Sequence, residues 1–314
     1  MSVASLGFRN VRGAFNHKLE SMGSLIWTPK IASVFSSDQE SEIYKFLAEV
    51  PVMRKQGASG AQGGPQIKRG LTDFGITVYN DIYESELYVN RHDKRRDKTG
   101  LMMARIGELA ERAAELPDKL VSAMLETNGN SFDGVAFYHA SSHASGANAI
   151  TVNGISDPLA MTTTLAETVV RRLTQQVFLQ KDTAGEPMNQ FARKFLLMVH
   201  PDCLGVFAAA IRNLTTADSG VIVRSTTGAL QDLGISYVLV ANPRFTGNTN
   251  AYLFRIDGPI GSIIWQDELA ADLIVLDETS EHAKKTGECL YRVERVCAAA
   301  YGRHQLTVRA TMAA

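Results

Sequence analysis

One stretch decides the fold, and it reads Phe74-Gly-Ile-Thr-Val-Tyr-Asn-Asp-Ile-Tyr-Glu-Ser-Glu-Leu-Tyr-Val-Asn90. Its apolar residues alternate with polar ones, which is typical of a β-strand with one buried face. The apolar positions are Phe74, Ile76 and Val78 before Asn80-Asp81, and Tyr83, Leu87 and Val89 after it. A shift of one residue exchanges the two faces of a strand, so we expect a bulge or a bend at residues 80–81.

A glycine-rich tract, Gln56-Gly-Ala-Ser-Gly-Ala-Gln-Gly-Gly64, precedes this stretch. So many glycines do not hold the interior of a helix or strand, but residues 50–55 and 67–78 on either side could pair as an antiparallel ribbon. A lone ribbon buries too little apolar surface to be stable by itself. We therefore predict that it contacts a neighbouring copy of the chain. The predicted contact residues are Gly57, Gly60, Gly63, Gly64, Lys68, Arg69, Phe74, Ile76, Val78 and Tyr83.

A charged joint, Arg91-His-Asp-Lys-Arg-Arg-Asp-Lys98, leads from the stretch into a long amphipathic helix. We interpret the joint as a solvated segment with local ion pairs. The helix is predicted from about Thr99 to Glu126, with a kink or restart at Pro117 because proline removes a helical hydrogen bond. Its apolar stripe is Met102, Ile106, Leu109, Ala113, Leu116, Leu120 and Met124.

Residues 1 to about 40 are predicted to form a mostly irregular arm, with a short helix around residues 13–22. Thr28 precedes a proline, which favours an extended chain near Trp27. Such an arm has little to bury against itself, so Trp27 and Ile31 are predicted to contact another part of the assembly. Ser37-Asp-Gln-Glu40 is typical of a capping box and predicts a helix that ends before Pro51.

The rest of the chain alternates predicted helices and strands, which indicates an α+β fold. Asp157-Pro158 resembles the beginning of a second amphipathic helix that ends near residue 181. Residues 144–156 are predicted to be a loop or hairpin, and residues 201–212 a helix. Strands are predicted at residues 135–138, 195–199, 235–240, 251–256, 262–265, 273–276, 289–298 and 305–310.

The bulk composition predicts a globular protein with a packed core. The chain has 314 residues, of which 45% are hydrophobic and 21% charged, with a formal net charge of −1. That charge gives no reason to expect sequence-specific DNA binding. No apolar run approaches the ~18 residues that a membrane helix needs, and no signal peptide is apparent, so we expect a soluble cytosolic product without membrane contact. Cys203, Cys289 and Cys297 are predicted to be buried free thiols.

No motif in the chain predicts catalysis or a cofactor, and we predict no catalytic, cofactor-binding or metal-binding residue. Gly57-Ala-Ser-Gly-Ala61 lacks the last glycine of a nucleophile elbow, and the same loop lacks the end of a P-loop. His139 and His143 would share a face only if their segment were helical, and they lack a third metal ligand. A soluble α+β hydrolase that uses one of these histidines is kept as an alternative function.

Several short segments resemble the major head subunit of Mu-like phages. They are Trp27-Thr-Pro-Lys-Ile-Ala-Ser-Val-Phe-Ser36, Glu42 to Arg54, Ile82-Tyr-Glu84, Val89-Asn-Arg-His-Asp93, Gly100, Pro117-Asp-Lys-Leu-Val121, and Phe132-Asp-Gly-Val-Ala-Phe-Tyr138 with His143. The resemblance covers residues 25–145 well. It is weaker from residue 195 onward, where it depends on Leu197 to Pro201 and Val240 to Pro243.

The resemblance implies an HK97-like capsid fold of the α+β class. Its parts would be an N-terminal arm (1–50), an extended loop (51–90), a peripheral domain with the spine helix (91–190), an axial domain (191–270) and a return to the peripheral domain (271–314). The implied function is a major capsid protein, not an enzyme, that self-assembles into an icosahedral or prolate head shell around the phage genome.

The resemblance also implies partners and a location. Copies of the chain would form hexamers and pentamers in the virion after assembly in the host cytoplasm. They would work with a separate scaffolding protein, a portal protein and, in some shells, a decoration protein, and would enclose DNA without sequence-specific binding. Lys68 is a conceivable donor for a lysine–asparagine cross-link, although an ordinary surface lysine explains it more simply. A nanocompartment shell that packages a cargo enzyme is the alternative function within the same fold.

Overall fold

A computed structural model describes residues 3–46, 74–97, 100–141, 143, 145–155, 157–182, 185–212, 215–218 and 221–313. The chain divides into two compact units. Unit 1 consists of residues 1–42, 78–125 and 264–300, and unit 2 of residues 43–77, 126–263 and 301–314. Each unit is thus built from three separated pieces of the chain. The five-part division expected from the family resemblance stays a prediction.

Unit 1 contains a helix-covered, four-stranded sheet. Its helices are α1 (Val3–Gly23), α2 (Thr28–Ile31), α3 (Arg91–Arg96), α4 (Leu101–Thr127, whose last two residues fall in unit 2) and α8 (Glu281–Thr286). Its strands, in spatial order, are β1 (Ala32–Ser36), β11 (Ile263–Leu276), β12 (Glu288–Tyr301) and β4 (Asp81–Asn90). The predicted strands at residues 262–265 and 273–276 are joined in one strand, β11. Its polar middle, Gln266-Asp-Glu268, hides this continuity from a search for apolar runs.

The long helix α4 confirms the strongest prediction, because it covers 27 residues and buries Ile106, Leu109 and Val121. The predicted restart at Pro117 is wrong, since the helix continues through it, and a kink there stays a prediction. Proline leaves the carbonyl four residues earlier without its helical partner. That carbonyl belongs to Ala113, and it accepts a hydrogen bond of 3.5 Å from the Arg295 guanidinium. The lost helical bond is thereby replaced from β12.

Helix α1 is much longer than the predicted short helix at residues 13–22. Val11 and Phe15 lie one turn apart and are buried in the same core as Ile106 and Leu109 of α4. Lys18 also forms an ion pair of 2.7 Å with Glu111. The arm is helical because tertiary contacts stabilise a segment whose own composition predicts little.

The predicted helix after Ser37 is wrong, because residues 41–46 form strand β2 (Ser41–Phe46). The Ser37 hydroxyl does not cap a helix; it accepts from the backbone N–H of Gln39 at 3.2 Å and donates to the Gln39 carbonyl at 2.9 Å. Strand β2 pairs with β3 (Phe74–Tyr79) in a two-stranded ribbon. The strand predicted at residues 50–55 and the glycine-rich tract lie outside the described residues.

The predicted break at residues 80–81 is confirmed as a change of sheet. Strand β3 ends at Tyr79 in the ribbon, and β4 begins at Asp81 in the sheet of unit 1. Val78 before the break is buried, and Leu87 and Val89 after it are half-buried on the opposite phase. The one-residue shift of the apolar positions therefore marks the place where the chain leaves one sheet and enters another.

Unit 2 is built on a five-stranded mixed sheet in the order β5-β13-β10-β6-β9. The strands are β5 (Ala149–Val152), β6 (Lys194–Val199), β9 (Ser236–Ala241), β10 (Asn250–Arg255) and β13 (Thr307–Met312). The remaining elements are α5 (Thr163–Phe178), α6 (Leu204–Arg212), α7 (Thr226–Asp232), the hairpin β7 (Thr215–Asp218) and β8 (Val221–Arg224), and 3₁₀ turns at Pro158–Ala160, Pro201–Cys203 and His304–Leu306. Helices α5 and α6 cover the sheet and share its hydrophobic core.

Most predicted elements of unit 2 are confirmed, but the predicted strand at residues 135–138 is not formed. Phe137 and Tyr138 are buried. The Phe137 N–H donates to the Gly129 carbonyl beside a single bridge between residues 130 and 136, and further backbone groups bond to side chains. The Tyr138 N–H donates to Asn128 at 2.7 Å, and the Phe137 carbonyl accepts from Asn148 at 2.6 Å. The second helix begins after Thr162 rather than Asp157, because the Thr162 hydroxyl accepts from the N–H of Leu165. The predicted loop at residues 144–156 contains β5, which pairs parallel to β13.

The core of unit 1 predicts a large effect of truncating Leu109, which is 8% exposed. We expect Leu109→Ala to lower the free energy of unfolding by ~2–5 kcal/mol, because the substitution removes buried methyl groups and leaves a cavity. Urea-induced unfolding followed by circular dichroism measures the loss. Arg112→Ala on the exposed side of α4 is the control and should change stability by less than about 0.5 kcal/mol. Equal losses for the two variants would contradict the assignment of Leu109 to the core.

Candidate functional site

The structure locates only part of the predicted contact set. Gly57, Gly60, Gly63, Gly64, Lys68 and Arg69 lie outside the described residues, and Phe74 is placed only as the first residue of β3. Ile76 and Tyr83 are half-buried, whereas Val78 is 4% exposed. Val78 therefore packs within its own chain. Ile76 and Tyr83 keep part of their surface available, and their role in contacts between copies stays a prediction.

The ribbon carries large apolar side chains on its surface. Ile43 of β2 is 63% exposed and Tyr79 of β3 is 67% exposed. A Cβ built on Gly75 of β3 would lie 3.4 Å from the Ile43 side chain, so the two strands are in close contact here. Exposed apolar groups on a two-stranded ribbon are the arrangement expected of a surface that another chain covers.

The predicted arm residues Trp27 and Ile31 are 7% and 0% exposed. They flank α2, and the carboxylate of Asp118 in α4 fixes this short helix. Asp118 accepts hydrogen bonds from the Thr28 N–H at 3.0 Å, from the Thr28 hydroxyl at 2.6 Å and from the Trp27 N–H at 3.4 Å. The arm is thus fastened to α4 of the same chain, and its contact with another subunit stays a prediction.

The charged joint forms α3, and its ion pairs reach across unit 1 rather than staying local. Lys94 pairs with Asp277, and Arg95 donates two hydrogen bonds of 2.9 and 3.0 Å to Glu278. Burial would lower the pKa of Lys94, but the hydrogen bonds and charge interactions with Asp277 and Tyr291 together outweigh burial and raise the pKa. Burial likewise opposes the ionised form of Asp277, and the bond from Lys94 lowers the pKa of that carboxyl. The joint between β4 and α4 is therefore a firmly held corner.

The outer face of the β4–β12 pair carries an excess of acidic side chains. Glu84 and Glu294 lie 2.5 and 3.1 Å from the guanidinium of Arg292, and Glu86 lies 3.9 Å from it. Three carboxylates thus surround one cation. Ile82 and Tyr88 extend this face and are 67% and 52% exposed. The face combines negative charge with large apolar groups, which indicates a contact surface rather than a fully solvated one.

A cluster of titratable side chains lies in unit 2. The Nδ1 of His143 donates to Asp133 at 2.6 Å, and its Nε2 lies 3.3 Å from the Phe137 carbonyl. Both ring nitrogens of His143 thus face hydrogen-bond acceptors. The ring of His304 stacks on that of His143, with centroids 3.8 Å apart and planes 15° apart. Burial and the adjacent His143 lower the pKa of His304 to about 3, so His304 is neutral.

Asp133, His143 and His304 have ligand-type atoms within 4.8 Å of one another. The stack nevertheless disfavours a shared ion, because the lone pairs of face-to-face rings point along parallel planes and do not converge. The nitrogens of His304 also contact Ser145 at 2.9 Å and Ser131 at 3.4 Å. The arrangement fits a polar connection between the loop at residues 131–145 and the turn at His304, with no need for a metal.

The residues considered for catalysis are not arranged for it. His139 and His143 lie in irregular chain, not on a helix, with their rings 6.5 Å apart and perpendicular. The three cysteines are free and buried, as predicted. Burial raises the pKa of Cys297 to about 12, which makes its thiol a poor nucleophile at neutral pH. No helix of the described residues is long and apolar enough to cross a membrane.

Sequence reasoning missed Asp118, Arg292 and His304. The first two are ordinary charged residues within predicted elements, and their partners Thr28 and Glu84 lie 90 or more residues away in sequence. His304 lies far from His143 along the chain, so no spacing rule joins them. The sequence offered one indication, which is that each of these residues has apolar neighbours along the chain. A charged or polar side chain in such a segment is more often paired than solvated.

The comparisons with known proteins point in one direction. The family model for the Mu-like prophage major head subunit gpT matches residues 5–167, just over half of the chain. No curated protein matches the sequence. Among solved structures, the procapsid of bacteriophage JBD30 is 16% identical, with a TM-score of 0.52, covering 99% of this chain and 76% of that one.

Two further solved structures have a similar fold. The capsid of cyanophage P-SCSP1u is 10% identical, with a TM-score of 0.56, covering 90% of this chain and 86% of that one. The SrpI encapsulin of Synechococcus elongatus is 8% identical, with a TM-score of 0.52, covering 91% and 86%. At such low identity these similarities establish the fold alone, which is the predicted HK97-like capsid fold.

The Asp118 contacts predict that one carboxylate holds the arm. We expect Asp118→Ala to leave the Thr28 N–H and hydroxyl without partners and to reduce stability by about 1–3 kcal/mol. Limited trypsin digestion should then cleave faster after Lys30, which is exposed. Glu115→Ala on the same helix is the control and should leave the cleavage rate unchanged. An unchanged rate in Asp118→Ala would show that apolar packing of Trp27 suffices.

The low pKa of His304 predicts acid sensitivity. In the unfolded chain a histidine binds a proton near pH 6.5, whereas folded His304 does so only near pH 3. Stability from this residue is therefore present above pH 6.5 and is lost as the pH falls toward 3. Linkage gives a loss of about 2 kcal/mol between pH 7 and pH 5.

The measurement is the free energy of unfolding in urea at pH 7 and at pH 5. His304→Gln should lose less unfolding free energy between these two pH values. His17→Gln, at an exposed position of α1, is the control and should behave as wild type. An identical pH dependence in all three proteins would refute the role of His304.

Proposed function

Because this chain belongs to the family of the Mu-like prophage major head subunit and is a shell-forming capsid protein of the virion, we propose that its working site is a set of contacts between copies. The observation that carries this proposal is the ribbon β2–β3. It displays Ile43 and Tyr79, 63% and 67% exposed, on an element that cannot be stable alone. Burying each such side chain against a neighbouring copy would contribute roughly 1.5–3 kcal/mol.

Repetition of one contact explains how weak interfaces build a large particle. Identical subunits that share a rotationally symmetric contact close into rings and shells, and each added contact strengthens the others. In this proposal the ribbons of hexamers and pentamers lie on neighbouring subunits, while the helix-covered sheet of unit 1 provides a rigid base. The predicted contacts of Gly57, Gly60, Gly63, Gly64, Lys68 and Arg69 belong to the same proposal.

The proposed contents and partners follow from the family. The shell would enclose the phage genome, and its net charge of −1 fits a container that does not read DNA sequence. A separate scaffolding protein, a portal protein and a decoration protein are the proposed partners during assembly in the host cytoplasm. As a structural protein, the chain would act through geometry and not through a reaction.

A second candidate function is a nanocompartment shell, favoured by the similarity to the SrpI encapsulin. The family match favours the phage shell instead. The two candidates differ in what the particle contains. Particles produced with the neighbouring phage genes should hold nucleic acid if the chain is a head protein, whereas a cargo enzyme without nucleic acid would favour the nanocompartment.

The ribbon contact predicts a variant that folds but does not assemble. Wild-type protein should form megadalton particles, visible by electron microscopy and by light scattering. Tyr79→Asp should yield free subunits or small oligomers, because a carboxylate cannot be buried in an apolar contact without a large cost. Thr164→Asp adds the same charge at an exposed position of α5, away from the ribbon, and is the matched control. Normal particles from Tyr79→Asp would exclude this face of the ribbon from the contact.

A further inference from the structure

We propose that a second copy of this chain docks on the open edge of β4, in antiparallel orientation across a two-fold axis. This inference is a separate contact from the ribbon and rests on the proposed function only in requiring that copies assemble. It arises from four features of unit 1: an unpaired strand edge, a cavity beside it, an unpaired arginine at the rim, and opposite charges at the two ends of one segment.

The strand edge is the first feature. Strand β4 has ten residues and, within the described part of the chain, hydrogen-bonds only to β12. Most of its side chains are exposed or half-buried. A long open edge presents a row of N–H and C=O groups that another strand can pair with, and proteins normally cover or shorten such edges. A strand of this length that stays open in the subunit is expected to be covered in the assembly.

The second feature is a cavity of about 320 Å³ at the C-terminal end of β4. Its apolar walls come from Leu87 and Val89 of β4 and from Leu101 and Met102 of α4. Charged residues complete the lining: Asp93, Lys94, Arg96, Asp97 and Arg105. This volume is enough for one or two large side chains. A strand added beside β4 would carry its own inward-facing residues directly to this opening.

The unpaired rim charge is the third feature. The other cations near the cavity have partners, because Lys94 pairs with Asp277 and Arg105 lies 2.7 Å from Glu108. Arg96 is exposed and makes no ion pair with any described residue. A guanidinium at the edge of an apolar cavity favours a ligand that combines an apolar side chain with a neighbouring carboxylate.

The outer face of β4 has that chemistry. Glu84 and Glu86 share the single cation Arg292 with Glu294, which leaves surplus negative charge. Tyr83 directly precedes Glu84 in sequence, lies on the inner face of the strand and is half-buried. One segment therefore carries both an aromatic group of suitable size for the cavity and the carboxylates that Arg96 lacks.

Charge order along the chain selects the orientation. The segment begins acidic, with Asp81, Glu84 and Glu86, and becomes mainly basic at α3, where Arg91, Lys94, Arg95 and Arg96 outnumber Asp93 and Asp97. Antiparallel pairing of two copies opposes the acidic end of each to the basic end of the other, whereas parallel pairing opposes like charges. The two-fold axis is perpendicular to the sheet, so the inner faces of both copies lie on the same side of the joined sheet. Tyr83 of each copy then approaches the cavity of the other copy.

The first test is charge reversal in the full-length chain. Arg96→Glu should lower the yield of particles at least tenfold and weaken dimer formation at low protein concentration. Glu84→Lys combined with Glu86→Lys should do the same. Combining all three changes should restore assembly, because the charges again complement each other. Arg171→Glu on the exposed side of α5 is the matched control for charge and should assemble normally.

The second test locates the axis. Single cysteines replace Ile82, Ser85 or Tyr88, all exposed positions of β4, and Leu159 in unit 2 as a control. An antiparallel two-fold contact brings equivalent residues together at one point only, so oxidation should give disulfide-linked dimers at one or two β4 positions and none at Leu159. The buried native cysteines should not react.

The outcomes separate this inference from the proposed function. Normal particles from Arg96→Glu, no rescue by the triple variant, or equal cross-linking at every position would overturn docking at β4 while assembly itself stands. Absence of particles from the wild-type chain would overturn the proposed assembly instead. Thermal unfolding by circular dichroism checks each variant. If Arg96→Glu unfolds, the cysteine pattern alone decides, because those variants keep every charge.

Discussion

The burial of one side of α4 is the constraint on which unit 1 depends. An amphipathic helix of 27 residues has far more apolar surface than its own turns can cover. Here the cover comes from three distant pieces: α1 supplies Val11 and Phe15, β11 supplies Leu273, and β12 supplies Tyr291 and Val293. Because these pieces are far apart in sequence, the core forms only when the whole unit does. Removing one piece leaves the others with uncovered surface.

This constraint also explains how the chain can carry Pro117 inside its main helix. An unpaired carbonyl in a core costs as much as a lost hydrogen bond. Arg295 supplies the missing donor to Ala113, and its guanidinium also holds Asp267 of β11 at 2.7 Å. One side chain therefore repairs the helix and joins two strands beneath it. Asp118, the residue after the proline, holds the arm through Thr28. The proline marks the part of α4 where the other elements are attached.

The sequence predicted features whose signal is local and missed those that depend on distant partners. The first part of the α4 stripe, with Ile106 and Leu109, and the alternation in β4 were found because helical and strand periods need only near neighbours. The later stripe residues Leu116, Leu120 and Met124 are only half-buried. Only the second half of helix α1 was predicted and strand β2 was missed, because each is stabilised by a partner elsewhere in the chain. A strand was wrongly predicted at Phe137 and Tyr138. In a sequence, a buried irregular segment and a buried strand both look like a short apolar run. The same limit applies to the candidate contacts, where Val78 proved to belong to the chain's own core.

Strand β4 illustrates why contact residues are harder to predict than core residues. A period of two divides its side chains between two faces, and both faces contain large apolar groups. Leu87 and Val89 pack into the core of the subunit, whereas Ile82 and Tyr88 on the other phase remain more than half exposed. The alternation alone does not show which face packs in the core of the subunit and which face is available to contact another chain. That choice is made by where α4 lies, because the face that α4 covers stabilises the fold and the face that it leaves open is available for assembly. The long helix therefore determines both the core of the subunit and which face of β4 stays open for the proposed contacts between copies.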